Sequence, residues 1–162
     1  MSITRSAPPQ PLALLPDPVA DHPASVSWVL ASASPRRRAL INQLGLAVQS
    51  QSSEIAERAE PDELPQAFAQ RMAEEKALDV ARARHAALRL PNPQGEWVIG
   101  GDTVVALGHQ ILGKPRDTSH ALQMLSALSG QTHDVWSGWA VVVHTQTETP
   151  EAPRVILSLI HI

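Results

Sequence analysis

Three short stretches of this chain hold residue types that could do chemistry. The first is Ser32-Ala33-Ser34-Pro35-Arg36-Arg37-Arg38. Ser34 followed by Pro35 reads as a helix N-cap and first helical position, and a helix N-terminus offers free N–H groups and partial positive charge to an anion. The hydroxyls and guanidinium forks add donors suited to phosphate oxygens, so together the set could hold a polyphosphate. Three arginines in the first turn also oppose the macrodipole, which favours acids there. That placement suggests an anionic ligand, against the plainer reading of a capped helix with a solvated basic edge. The second stretch is Gly100-Gly101-Asp102-Thr103 inside an apolar run. Two glycines before a carboxylate place an acid where backbone can be approached closely, which suits a metal ligand or general base, or else an Asp closing a β-bulge. Glu54, Glu57 and Glu60 are available acidic partners. A hard divalent cation shared between carboxylates and substrate phosphates would suit them.

The third stretch, Gly108 to Gly113-Lys114, has the spacing of a phosphate-binding P-loop. It fails at Pro115, which stands where a Ser or Thr would hold Mg²⁺, so an ATPase of that type is rejected. Lys114 can still reach a phosphate from a loop or serve as a surface lysine. Lys76, within Glu74-Glu75-Lys76, reads by itself as part of a solvated helical face. The seven His residues show no metal-binding spacing, and no Gly-x-Ser-x-Gly elbow is present. The four Trp residues are expected to pack the sheet.

These residues need elements to position them. Residues 26–32 form a β-rich run that fills a buried strand, and a helix follows to Leu44 with Leu40, Ile41 and Leu44 on one side before Gly45 stops it. Residues 46–50 read as another strand and 53–61 as a polar, acidic connection. A long helix is predicted over 62–88, with Leu64, Phe68 and Met72 at i, i+4 and i+8. Residues 91–95 form a loop. Residues 97–107 read as a strand interrupted at Gly100-Gly101-Asp102, turning at Gly108-His109-Gln110 into Ile111-Leu112 as a hairpin. Asp117 or Thr118 caps a helix to Leu128 whose apolar side is Leu122, Leu125 and Leu128, ended by Ser129-Gly130. Residues 132–143 are the last convincing strand. The order β-α-β-α-β-β-α-β is an α/β pattern with a mixed sheet.

The 162 residues carry 13 Lys+Arg against 16 Asp+Glu, a net charge of −3, and no Cys. One domain is expected. The acidity disfavours nucleic acid as a partner, although a local basic cluster remains. The absence of Cys excludes disulfides, thiolate zinc sites and Cys nucleophiles. No apolar window is long enough to span a membrane, and the proline-broken start is no signal peptide, so a cytoplasmic location is the default. Six of the 14 prolines fall in the first 23 residues. Residues 1–24 are therefore expected to be a disordered Pro-rich tail.

Taken together, Leu30-Ala31-Ser32-Ala33-Ser34-Pro35-Arg36-Arg37, Glu57, Glu75-Lys76-Ala77, Gly101-Asp102-Thr103-Val104-Val105, Ile111-Leu112-Gly113-Lys114-Pro115-Arg116-Asp117 and Leu128-Ser129-Gly130-Gln131-Thr132-His133 form an ordered set. Over residues 26–144 it resembles the Maf family of nucleoside triphosphate pyrophosphatases. The resemblance implies a mixed twisted sheet flanked by helices, akin to the inosine triphosphate pyrophosphatases. It also implies hydrolysis of a nucleoside triphosphate to the monophosphate and pyrophosphate with a divalent cation, Mg or Mn. Carried over by position, Asp102 is the general base or metal carboxylate and Glu57 its acidic helper, both at the metal. Ser32, Arg36, Arg37, Lys76 and Lys114 match polyphosphate binders, and Arg36 and Thr103 match positions linked to base selection. The Ser-Pro-Arg-Arg, Gly-Asp-Thr and Ser-Gly-Gln-Thr-His forms look most like the branch acting on dTTP and UTP, for house-cleaning of the nucleotide pool. The 7-methyl-GTP branch is the nearest competitor, and a non-catalytic nucleotide-binding regulator of cell division is the reading from another class. A homodimer is left open.

Two departures matter. The family's Gly-Ala-Asp-Thr reads Gly-Gly-Asp-Thr here, which loosens the strand while preserving the acid. Family members also continue through a second lobe with a Gly-Ile-Gln-Gly segment, whereas this sequence reaches only Ile162. The expected organisation is a tail over 1–24, a pyrophosphatase domain with its second lobe incomplete over 25–156, and a non-native tail over 157–162. The last six residues match the translation of a transposase sequencing adapter. A missing lobe removes one wall of the base pocket, so weak or no turnover is expected of residues 1–162.

Overall fold

A computed structural model describes residues 26–87, 95–144 and 154–161. The tail expected over 1–24 and nearly all of the loop expected over 91–95 lie outside those residues. The elements are β1 (Ser27–Ala31), α1 (Pro35–Gln43), β2 (Val48–Ser50), α2 (Pro65–Ala87), β3 (Glu96–Leu107), β4 (Gln110–Leu112), α3 (Thr118–Leu128), β5 (Asp134–His144) and β6 (Arg154–His161). The sheet order is β2-β1-β3-β5-β6, with β4 paired to β3. β1 runs parallel to β2 and β3, while β5 is antiparallel to both β3 and β6. The mixed sheet expected from the element order is the one observed.

Alternation along the strands divides the core between two faces. Val29, Ala31, Val98, Ala140 and Val142 point towards α2 and pack on its Ala73, Ala77 and Val80. Leu30 and Ile99 point the other way and pack with Ile41 of α1, beside Trp28, Leu46, Val48, Trp139 and Val141. Trp28 and Trp97 meet with ring centroids 4.9 Å apart, so these aromatics pack against the sheet as expected.

Several local signals act where the sequence places them. The Ser34 side chain accepts from the Arg37 N–H, Pro35 opens α1, and Gly45 takes a φ of 77° just past its end. Asp117 caps α3 by accepting from the His120 N–H. Gly108, at φ 58°, makes the turn between β3 and β4.

Other expectations are corrected. The long helix begins at Pro65 and not at residue 62, because Asp62 sits at a left-handed φ of 57°, outside helical geometry. Leu64 is consequently half-exposed, while Phe68 and Met72 are buried. On α1 only Ile41 is buried, and Leu40 and Leu44 are exposed. α3 has no buried residue, with Leu122 and Leu125 exposed, because none of the described elements covers that side. β3 is not interrupted at its glycines but runs unbroken from Glu96 to Leu107. Finally, residues 132–143 do not hold the last strand. β6 adds to the edge of β5 with Leu159 opposite Gly138, so residues 157–161 are part of the sheet.

The glycines in β3 and β5 answer a packing demand. A Cβ on Gly100 would stand 2.1 Å from the Ala73 carbonyl oxygen, and one on Gly138 would stand 2.3 Å from that of Ala69. Ala69, Ala73 and Ala77 lie four residues apart on one stripe of α2, and small residue against glycine lets the helix backbone approach the sheet. That approach sets the distance at which α2 side chains reach β3.

Candidate active site

Asp102 lies on the α2 face of β3, beyond Gly100, and is 8% exposed. Lys76 is one residue before Ala77 on α2 and is equally buried, its Nζ donating to Asp102 Oδ1 at 2.6 Å. The residue-by-residue reading of Lys76 as a solvated helical position is therefore corrected. Helical periodicity puts Lys76 on the stripe of Met72, Ala73 and Val80, and the cost of burying the ammonium is met by carboxylates. Its second partner is Glu57 Oε1 at 2.8 Å. Glu57 in turn accepts from Lys114 Nζ through Oε2 at 2.7 Å, the lysine coming from the loop between β4 and α3. The result is a chain of alternating charge, Asp102, Lys76, Glu57, Lys114, assembled from four separate segments.

Burial would raise the Glu57 carboxyl above its ordinary value. The hydrogen bonds and positive charge of Lys114 and Lys76 outweigh it and hold the group at about 2. Glu57 is thus an anion throughout the neutral range.

Thr103, the next residue of β3, points to the opposite face. There Arg37 Nη2 donates to Thr103 Oγ1 at 3.2 Å and Arg37 Nη1 donates to Ser32 Oγ at 3.4 Å. Ser137 of β5 stands directly opposite Thr103 in the ladder, its hydroxyl 3.0 Å from Thr103 Oγ1 and 3.3 Å from the Asp102 carbonyl oxygen, to which it donates. Ser137 was not visible as a site residue in the sequence, because only the β3–β5 register brings it to Thr103.

An open pocket of about 690 Å³ collects these groups. Asp102, Glu57, Lys76, Arg37, Thr103 and Lys114 line it, with Phe68, Val104, Ile111, Leu112 and Pro115 supplying apolar surface. Six of the eight candidate site residues therefore share one cavity. Ser32 is buried and reaches the cavity only through Arg37. Arg36 is exposed on α1 and does not line it. Glu54 and Glu60, the other acidic candidates, do not line it either: their backbone N–H groups donate to Asp79 and Glu63. Among the described residues no group of three or more His, Asp or Glu side chains gathers as a metal centre.

Fold and site together define an α/β protein with a carboxylate pair, held on one buried lysine, beside a cationic rim suited to anions. The chain matches the family model described as Maf-like protein over residues 27–158, and it belongs to the Maf family. A protein of Myxococcus xanthus (strain DK1622) named dTTP/UTP pyrophosphatase is 47% identical over 113 residues, covering 70% of this chain and 53% of that protein. Proteins of the same name from Desulfotalea psychrophila and Syntrophotalea carbinolica are each 43% identical, covering 70% and 75% of this chain and 54% and 51% of theirs. The chain spans about half the length of the curated relatives it matches. A solved structure of a HAM1 protein from Coxiella burnetii aligns with a TM-score of 0.41 at 16% identity, covering 84% of this chain and 71% of that one.

Proposed function

We propose that this protein is a nucleoside triphosphate pyrophosphatase acting on dTTP and UTP or modified pyrimidine nucleotides, clearing them from the nucleotide pool. The observation that carries the reading is Lys76 holding Asp102 and Glu57 together at a pocket rimmed by Arg37 and Lys114. The relatives' shared name favours the dTTP/UTP branch over the 7-methyl-GTP branch and over a regulator without turnover.

In this reading Arg37, Lys114 and Lys76 bind the phosphates and neutralise charge that grows on the departing pyrophosphate. Asp102 takes a proton from water as its oxygen bonds to the α-phosphorus. The α–β bridging bond breaks, and its electrons leave with pyrophosphate. Thr103 and Ser137 present hydroxyls on the far side of β3, where Thr103 contributes to base selection. Asp102 and Glu57 are the oxygen donors a hard cation would take there, together with waters and phosphate oxygens, and it would compete for them with Lys76 and Lys114, which already engage Asp102 Oδ1 and both Glu57 oxygens. Mg²⁺ or Mn²⁺ held there would polarise the phosphoryl oxygens and favour hydroxide at neutral pH. Ser32 supports Arg37, and Arg36, exposed on α1 outside the pocket lining, is assigned to the part of the nucleotide that extends beyond the pocket. A cytoplasmic location fits a nucleotide substrate, and among the described residues no helix is long and apolar enough to cross a membrane. We propose residues 25–156 as the pyrophosphatase domain, an extent that the family match over residues 27–158 supports.

The deciding assay is pyrophosphate release from a panel of nucleoside triphosphates with Mg²⁺ or Mn²⁺. Release from dTTP and UTP that Asp102→Asn abolishes supports the reading. Tight binding without release supports the regulator, and preferential release from 7-methyl-GTP supports the other branch.

A further inference from the structure

Glu57 sits in residues 51–64, which have no helix or strand of their own. A carboxylate that must meet two lysines from such a segment needs its backbone held, and α2 holds it on both sides. Upstream, the Glu54 N–H donates to Asp79 Oδ2 at 3.2 Å. Downstream, Arg71 makes a denser contact. Its Nε and Nη2 grip Glu63 at 2.7 and 2.6 Å, its Nη2 also donates to the Arg58 carbonyl oxygen at 2.9 Å, and its Nη1 donates to Glu75 Oε1 at 3.0 Å. The guanidinium also lies 5.6 Å from the centre of the Phe68 ring, which lines the pocket.

We propose that Arg71 is a positioning residue for Glu57: by clamping Glu63 and the Arg58 carbonyl onto α2, it fixes the backbone next to Glu57 and so holds that carboxylate against Lys76. The inference rests on the pyrophosphatase reading for its catalytic consequence, but the clamp is a property of the fold. Two features separate it from an ordinary surface ion pair. The fork is bidentate onto a carboxylate whose side chain is only 10% exposed, and one Nη serves both Glu63 and the residue adjoining Glu57. A second carboxylate oxygen task falls to Glu63, which accepts the Glu60 N–H at 3.0 Å and tightens the same segment.

The test compares Arg71→Lys, Glu63→Gln and the control Glu75→Gln in the full chain, by amide hydrogen exchange and by kcat and KM for dTTP. Lysine keeps the charge but cannot fork onto Glu63 while reaching the Arg58 carbonyl. Arg71→Lys is expected to speed exchange across residues 53–62 and to lower kcat about ten- to hundred-fold with KM little changed, the scale of a small misplacement. In a Glu57→Gln background the same change should add little, because both act through one group. Glu63→Gln should shift both readouts in the same direction, and it decides the matter if Arg71→Lys does not fold. Glu75→Gln should leave both as they were. Unchanged exchange over 53–62, or unchanged kcat despite faster exchange, overturns the proposal. A wild-type chain that neither releases pyrophosphate nor binds dTTP or UTP overturns the function proposed above instead. Exchange alone then judges the clamp: faster in 53–62 supports it, and unchanged defeats it.

Discussion

Lys76 and Asp102, 26 residues apart in the chain, meet at 2.6 Å because the alanine stripe of α2 lies directly on the glycines of β3 and β5. Were the helix held off by ordinary side chains at 100 and 138, the lysine stem would fall short of the carboxylate. The ion pair and the glycine contacts are one structural device.

The first prediction concerns the pair itself. Lys76→Met leaves Asp102 buried without its counter-charge and should destabilise the protein by about 3–5 kcal/mol, as loss of one partner from a buried pair typically does. Lys76→Met combined with Asp102→Asn should recover much of that loss. Urea denaturation of the two variants checks it, and additive losses would show that the side chains do not depend on one another.

The glycines give a second prediction. Gly100→Ala and Gly138→Ala should each cost about 1–3 kcal/mol or more, since the clash is with helix backbone that cannot rotate away. Gly101→Ala differs in kind. Its new methyl would meet Trp139 and Arg37 side chains at 3.2 and 3.3 Å, so stability should suffer less while nucleotide binding through Arg37 weakens. Melting temperatures set beside nucleotide affinities separate the two classes.

Acid stability provides a third. The Glu57 carboxyl is held at about 2, below its ordinary 4.5, and Glu63 is lowered too by the hydrogen bonds from Arg71. A group with a depressed folded-state pKa contributes stability that is complete above its unfolded value and is withdrawn as pH falls towards its folded one. Stability should therefore decline from about pH 4.5 towards 2. Glu57→Gln should flatten that decline, and denaturation midpoints measured across the range test the difference.

Thr103 supports a fourth. Thr103→Val keeps the shape but removes the hydroxyl that accepts from Arg37 and pairs with Ser137. Without that contact Arg37 is no longer held where it lines the pocket, so KM for dTTP or UTP should rise several-fold. Ser137→Ala should do the same more weakly. An unchanged KM in both would remove this hydroxyl pair from the substrate path.

How far the sequence could be read depended on the range of the interaction. Ser34-Pro35, Gly45, Gly108 and Asp117 each act through atoms a few residues away, and each does in the structure what its local chemistry requires. The motif residues Asp102, Glu57, Lys114 and Arg37 could be named for the same reason, as residue types in short, ordered patterns. Residue spacing grouped Leu40, Ile41 and Leu44 on α1 and Leu122, Leu125 and Leu128 on α3 but did not reveal what covers them, and Leu40, Leu44, Leu122 and Leu125 are exposed. Gly100 looked like a break in a strand, since its cause, the Ala73 carbonyl, belongs to another element. Lys76 looked solvated because nothing within a turn of it reveals a buried partner. Its burial, the Thr103–Ser137 pair and the Arg71 clamp are set by cross-strand register and by the distance between helix and sheet. By itself the sequence determined the local elements and the identity of the charged groups. Only tertiary packing decided which of those groups meet, because burying a charge is tolerated only where the fold brings its counter-charge within hydrogen-bond reach.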